Sequence, residues 1–155
     1  MKKFVFIVLG ITICFVTGLC AGIFQSASIE TWYPTLVKST FTPPNRVFPI
    51  AWGIIYICMG TSIGLVWGSD YNHGKRLLTH LFAMQLLLNI LWSICFFLFR
   101  CPLLGLITMA VIDITAIWYL VKLFYHNCTS AFLLIPYIAW LTLATYLNAY
   151  IVSFN

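Results

Sequence analysis

Gln85, Asn89, Trp92, Ser93 and Phe96 recur at offsets of 0, 4, 7, 8 and 11 within one apolar stretch, the spacing of a single helical stripe. Tyr137, Trp140, Ala144 and Asn148 form a second stripe at offsets of 0, 3, 7 and 11, and Trp52 and Tyr56 stand one turn apart. Indoles and phenols offer flat apolar faces with one polar tip, and each carboxamide offers both donors and an acceptor. Such a set suits a concave, mostly apolar pocket with a few polar groups. It also suits interhelical hydrogen bonding and ring packing, the reading that any one stripe would receive by itself. Three stripes, each with a tryptophan and two with an amide, point to a lined pocket.

Other chemistry is thinner. Asp113 is the one carboxylate inside an apolar run, and an acid in that position is a candidate proton relay. Its neighbours on the same helical face, Met109, Ala110, Ala116 and Ile117, include no titratable partner, which favours pairing across helices. The six cysteines form no Cys-x-x-Cys, and the three histidines, His73, His80 and His126, stand near loop ends without ligand spacing. The cysteines read as small apolar filler and the histidines as interfacial groups, His80 as a haem ligand being the lesser alternative. No metal site is expected. The sequence contains no hydrolytic triad or phosphate loop, and its scattered cations form no nucleic-acid footprint.

The elements that must carry these residues are membrane helices. Hydrophobic residues make up 63% of the 155, against eight Lys/Arg and three Asp/Glu. Five apolar runs, at 4–24, 48–68, 77–99, 102–124 and 130–153, each reach the roughly 20 residues that cross a bilayer core. Backbone polar groups must be paired internally there, so the runs are predicted to be helices of one all-α, five-span domain covering 1–155. Pro49 and Pro102 suit first helical turns, while Pro136 is expected to kink the fifth helix or mark a late start. Met1-Lys2-Lys3 before the first run resembles a signal peptide, but its uninterrupted 21 apolar residues favour a retained span. Lys2, Lys3, Lys75, Arg76 and Lys122 on one side against Lys38, Arg46 and Arg100 on the other favour a cytoplasmic N-terminus. Gly60, Gly64 and Gly68, and Gly18 and Gly22, permit close helix approach within one chain or between two. The segment from Gln25 to Val47 is the one long loop.

Together the residues resemble the tryptophan-rich sensory protein/translocator protein family, which includes the peripheral benzodiazepine receptor. The likeness rests on Trp32-Tyr33-x-x-Leu36-x-Lys38, Phe41-x-Pro43-Pro44, Phe48, Trp52, Tyr56 and Met59-Gly60. It continues through Gln85-Leu86-x-Leu88-Asn89-x-x-Trp92-Ser93-x-x-Phe96-Phe97, Arg100, Ala110-x-x-Asp113, Pro136-Tyr137-x-x-Trp140 and Leu147-Asn148. The resemblance implies a five-helix bundle whose first loop folds over a pocket as a lid. It implies binding of tetrapyrroles such as protoporphyrin IX, and of isoquinoline- and benzodiazepine-type drugs, with no cofactor required. Tyr33, Pro43, Pro44, Asn89, Trp92 and Ala144 would line the pocket with Trp52 and Trp140. Tyr56 and Asn148 join them from the stripes. In some bacterial members the two tryptophans promote light- and oxygen-dependent porphyrin breakdown, so Trp52 and Trp140 are the catalytic candidates.

Arg46, near the expected pocket mouth, could pair a propionate or anchor in lipid headgroups, and the two readings are even. The family implies a homodimer, although the dimer face assigned to small residues on its third helix is Leu- and Phe-rich here. Cholesterol is not assigned, because Leu147 and Tyr150 are followed by Ile151-Val152-Ser153-Phe154-Asn155 with no basic residue. Ser39 stands where the family often has proline, and a looser lid entry is expected. A receptor or sensor is the favoured function, with porphyrin degradation and transport as the other classes. A bacterial cell membrane fits the N-terminal lysines, and a mitochondrial outer membrane is the alternative.

Overall fold

A computed structural model describes residues 2–70 and 72–155, and these form helices with no strand among them. Helix α1 spans Lys2–Thr31, α2 Val47–Trp67, α3 Lys75–Ser93, α4 Pro102–His126 and α5 Cys128–Phe154. The third helix continues into a π-helical turn, Ile94–Leu98. Each of these five is long and apolar enough to cross a membrane. The first helix extends beyond the apolar run that defines it, so the first loop begins at Trp32 and not at Gln25.

Helix ends follow from their sequences. Pro102 opens α4, where its missing N–H costs nothing. Asn127 caps α5 by accepting from Ser130 N at 3.1 Å. The ammonium of Lys75 donates to the carbonyl oxygens of Trp67 (3.3 Å) and Ser69, closing the C-terminal end of α2 with a cation. Gly74 takes φ +80° in the turn before α3. Pro136 lies inside an unbroken α5; the helix neither starts late nor stops there. The proline ring instead borders a shallow outer groove with Ala51, Ile54, Ile55, Ala139 and Trp140.

Around the bundle the helices pack in the order α1, α2, α5, α4, α3 and back to α1, with a smaller contact between α2 and α3. Ile63, Ile112, Ala116, Tyr119, Leu134 and Tyr137 fill the centre with no exposure. Leu19, Ile23, Leu87, Ile114 and Phe132 point outward, as helices solvated by acyl chains require. The α1–α2 contact is the closest. Side chains built on Gly60 or Gly64 would overlap the backbone of Ile11 or Ile7. These glycines therefore serve a seam within the chain. Ser62 and Ser130 tie α2 to α5 reciprocally, each hydroxyl donating to the other residue's carbonyl at 2.7 and 3.1 Å.

Candidate functional site

A cavity of about 440 Å³ lies at the end of the bundle that carries the first loop. The later turns of α1, the first turns of α2, the end of α3 with its π turn, and the end of α5 meet there. Its aromatic walls come in two groups. Trp52 and Tyr56 lie 5.3 Å apart, with Phe15 edge-on to Tyr56 at 5.5 Å. In the second group Trp92 stacks on Phe96 at 5.3 Å and 19°, with Phe97 edge-on to Trp92 at 5.7 Å. The π turn, closed by Phe99 N to Ile94 O at 2.9 Å, buries the adjacent rings of Phe96 and Phe97 on the same wall. Single π turns of this kind recur at functional sites.

The polar groups of the stripes are largely spent on each other. Tyr137 donates to Gln85 Oε1 at 2.8 Å, and Gln85 donates to Thr115 at 2.7 Å. Asn89 Nδ2 donates to Tyr137 Oη at 2.7 Å and to Gln85 O at 2.8 Å, leaving its Oδ1 as the group free to accept from a ligand. Trp92 Nε1 donates to Asn148 Oδ1 at 3.2 Å, and Asn148 donates to Pro102 O at 2.9 Å. Gln25 reaches from α1 to Ser93 Oγ at 2.8 Å. Asp113 accepts from Thr145 Oγ1 at 2.7 Å, pairing α4 with α5.

The first loop crosses the same end and is pinned to α5. Val37 N donates to Asn155 Oδ1 at 2.8 Å, and Asn155 Nδ2 donates to Val37 O at 3.2 Å. Ser39 does not loosen the loop: its buried hydroxyl meets Tyr146 Oη at 3.1 Å and accepts from Phe41 N at 3.2 Å. Trp32 and Tyr33 rest on Phe96 and Phe97. Lys38 donates to Tyr33 O at 3.2 Å, and its ammonium sits 4.6 Å above the centre of the Tyr33 ring. Burial pushes the Tyr33 phenol above its ordinary pKa.

Of the residues singled out in the sequence, the cavity wall brings together Tyr33, Trp52, Tyr56, Asn89, Trp92, Ala144 and Asn148. Pro43, Pro44 and Arg46 lie outside that wall, although Asn45 belongs to it. Trp140 sits on the outer groove, edge-on at 5.5 Å to Phe48, which itself lines the cavity. Sequence reasoning missed Phe15, Leu19, Gln25 and Ile29, the α1 side of the wall. Gln25, a carboxamide at the end of an apolar run, and Gly18, one turn before Gly22, were the available signals. Among the described residues no cluster of His, Cys, Asp and Glu could hold a metal.

A sequence model of the TspO/MBR family matches residues 10–153. The chain belongs to this family. The tryptophan-rich protein TspO of Archaeoglobus fulgidus is 36% identical over 138 residues, covering 89% of each chain. That of Chlorobaculum tepidum is 32% identical over 155 residues, covering 99% of this chain and 98% of its own. The human translocator protein is 32% identical over 119 residues, covering 76% of this chain and 70% of the relative. With its five spanning helices, this TspO/MBR member is an integral, multi-pass membrane protein.

Proposed function

We propose that the cavity binds a tetrapyrrole such as protoporphyrin IX, and drug-like lipophiles of similar shape, and that the protein acts as a receptor or sensor. The observation that carries this reading is one apolar chamber lined by two aromatic groups, Trp52 with Tyr56 and Trp92 with Phe96. Its volume falls within the roughly 300–1,000 Å³ of small-molecule sites. Aromatic faces of this kind suit a planar ligand. The cations of Lys38, Arg46 and Arg100 gather at the loop end, where the carboxylates of such a ligand would emerge.

Trp52 in the wall also favours a second reading, oxidation of the bound porphyrin under light and oxygen. In that reading Trp52 meets the ligand directly, and Trp140 acts one ring away through Phe48. The test is titration of the purified protein with protoporphyrin IX, read by tryptophan quenching in the dark and then under illumination. Saturable quenching with a stable porphyrin spectrum supports the receptor. Loss of the porphyrin's main absorption band under light, abolished in Trp52→Phe, supports the oxidative reading. Absence of saturable quenching refutes both. Net uptake by sealed vesicles beyond stoichiometric binding would favour transport instead.

A further inference from the structure

The α1–α2 seam is tight at one end and open at the other. Gly68 faces Lys3, Gly64 faces Ile7 and Gly60 faces Ile11, so each step back along α2 matches a step forward along α1. Extending that register sets Gly53 opposite Gly18. Two glycines would allow the helices their closest approach. They do not take it: a side chain built on Gly18 would overlap the ring of Tyr56, which lies between the helices there, whereas one built on Gly53, or on Gly22 a turn beyond Gly18, would meet nothing within 4 Å. Both Gly18 and Gly53 line the cavity, so the space between the parted helices is continuous with it. Leu19 and Phe15 line the cavity too, yet they are 73% and 40% exposed. One wall residue thus faces both the chamber and the outside.

That outside is acyl chain. Gly53 is six residues into a spanning helix, about 9 Å along its axis. At the loop end, the chain is tied down by the paired Val37–Asn155 bonds, the Ser39–Tyr146 contact and the rings of Trp32 and Tyr33. We propose that lipophilic ligands enter and leave the cavity from the bilayer, through the α1–α2 seam at Gly53, whose missing side chain, beside the Tyr56 ring that covers Gly18, sets the size of molecule that passes. This rests on the reading that the cavity holds a lipophilic ligand. Such a ligand is already concentrated in the membrane, since moving apolar surface out of water is favourable. A molecule entering there breaks no hydrogen bond of the loop.

The test uses the full chain in lipid nanodiscs, with association and dissociation of protoporphyrin IX followed by stopped-flow tryptophan quenching. Gly53→Leu slows both rates by at least about tenfold, and Gly53→Ala slows both by less, because a narrowed doorway delays traffic in each direction. Asn155→Ala, which frees the loop at Val37, leaves both rates within about twofold. Faster dissociation from Gly53→Leu would mean a crowded site and no doorway, and would overturn the proposal. Faster exchange in Asn155→Ala would overturn it equally, by assigning the route to the loop. If the unaltered protein shows no saturable porphyrin binding, the ligand reading fails and the seam is judged alone. Dibrominated lipid tails then quench tryptophan less in Gly53→Leu than in the unaltered protein if the seam is open, and equal quenching refutes it.

Discussion

Removing one oxygen from the bundle's centre tests whether its polar network is held together as drawn. Tyr137 and Gln85 have no exposure, and the Tyr137 hydroxyl donates to Gln85 Oε1 while accepting from Asn89. In Tyr137→Phe two hydrogen bonds disappear with almost no change of shape. At the roughly 0.6 kcal/mol average for a hydrogen bond inside a membrane protein, their loss costs about 1 kcal/mol. The Gln85 oxygen is also left without a donor, and a stranded buried acceptor raises the total towards about 2–3 kcal/mol. For a chain of this length that corresponds to a fall in Tm of about 4–10 °C.

The same asymmetry predicts the double variant. Tyr137→Phe with Gln85→Leu removes the acceptor as well as its donor, so the pair costs less than the sum of the two singles, by about 1 kcal/mol. Reversible unfolding of all four proteins in mixed detergent, followed by tryptophan fluorescence, reads the cycle. An unchanged Tm for Tyr137→Phe, or strictly additive costs, would refute the network.

Gly64→Leu forces a side chain into the backbone of Ile7 and should abolish the folded detergent-soluble protein, whereas Gly22→Leu meets open space and should leave thermal stability unchanged. Similar yields and melting profiles for the two would contradict the seam. Asp113→Asn keeps an oxygen to accept from Thr145, so porphyrin affinity and stability should stay within about twofold and about 1 kcal/mol; a large loss in ligand-dependent function with stability intact would restore the proton-relay reading. The Tyr33 phenol has its pKa raised by burial, so its contribution to loop packing is complete below about pH 10 and is lost as pH rises through the raised value. The protection of the loop amides, with the intrinsic base-catalysed exchange rate divided out, should therefore be flat to about pH 10 and fall above it, a fall that Tyr33→Phe removes; the same alkaline response in Tyr33→Phe would assign it to another group.

The helices were legible because unbroken apolar runs of about 20 residues in hydrocarbon pair their own backbone as helices, and the inward faces of α3 and α5 were legible because polar side chains avoid the same hydrocarbon. Gln85, Asn89 and Asn148 could not point at lipid, so their spacing gave the direction of the bundle interior. Trp140 had no such constraint. It leaves the line of Tyr137 by about 60° at the helical repeat, and that turn carries it onto the groove beside Pro136. The α1 wall was illegible because residues facing the cavity and residues facing lipid are equally apolar, as Leu19 shows by doing both. The role of Ser39 was misread because a proline comparison says nothing about a hydroxyl partner more than 100 residues away, here Tyr146.

The distribution of polar groups decides what kind of selectivity the cavity can have. Some donors and acceptors in its wall already satisfy one another, through Trp92 with Asn148 and Gln25 with Ser93. A ligand that displaced them would have to replace each bond it broke, and rejection on that ground is strong. Asn89 Oδ1, the Trp52 indole N–H, the hydroxyls of Tyr33 and Tyr56, the Asn45 side chain and the cations at the loop end are what remain to be read. Selection therefore falls on shape and apolar area, where one methylene is worth only about 1 kcal/mol, together with these few polar points. A chamber of this kind discriminates poorly among flat lipophiles of similar outline and more sharply against polar groups that these points do not meet. Widening the range of accepted ligands would then require changing the walls at Trp52 or Trp92, while changing the rim cations would alter the preference for acidic over neutral occupants.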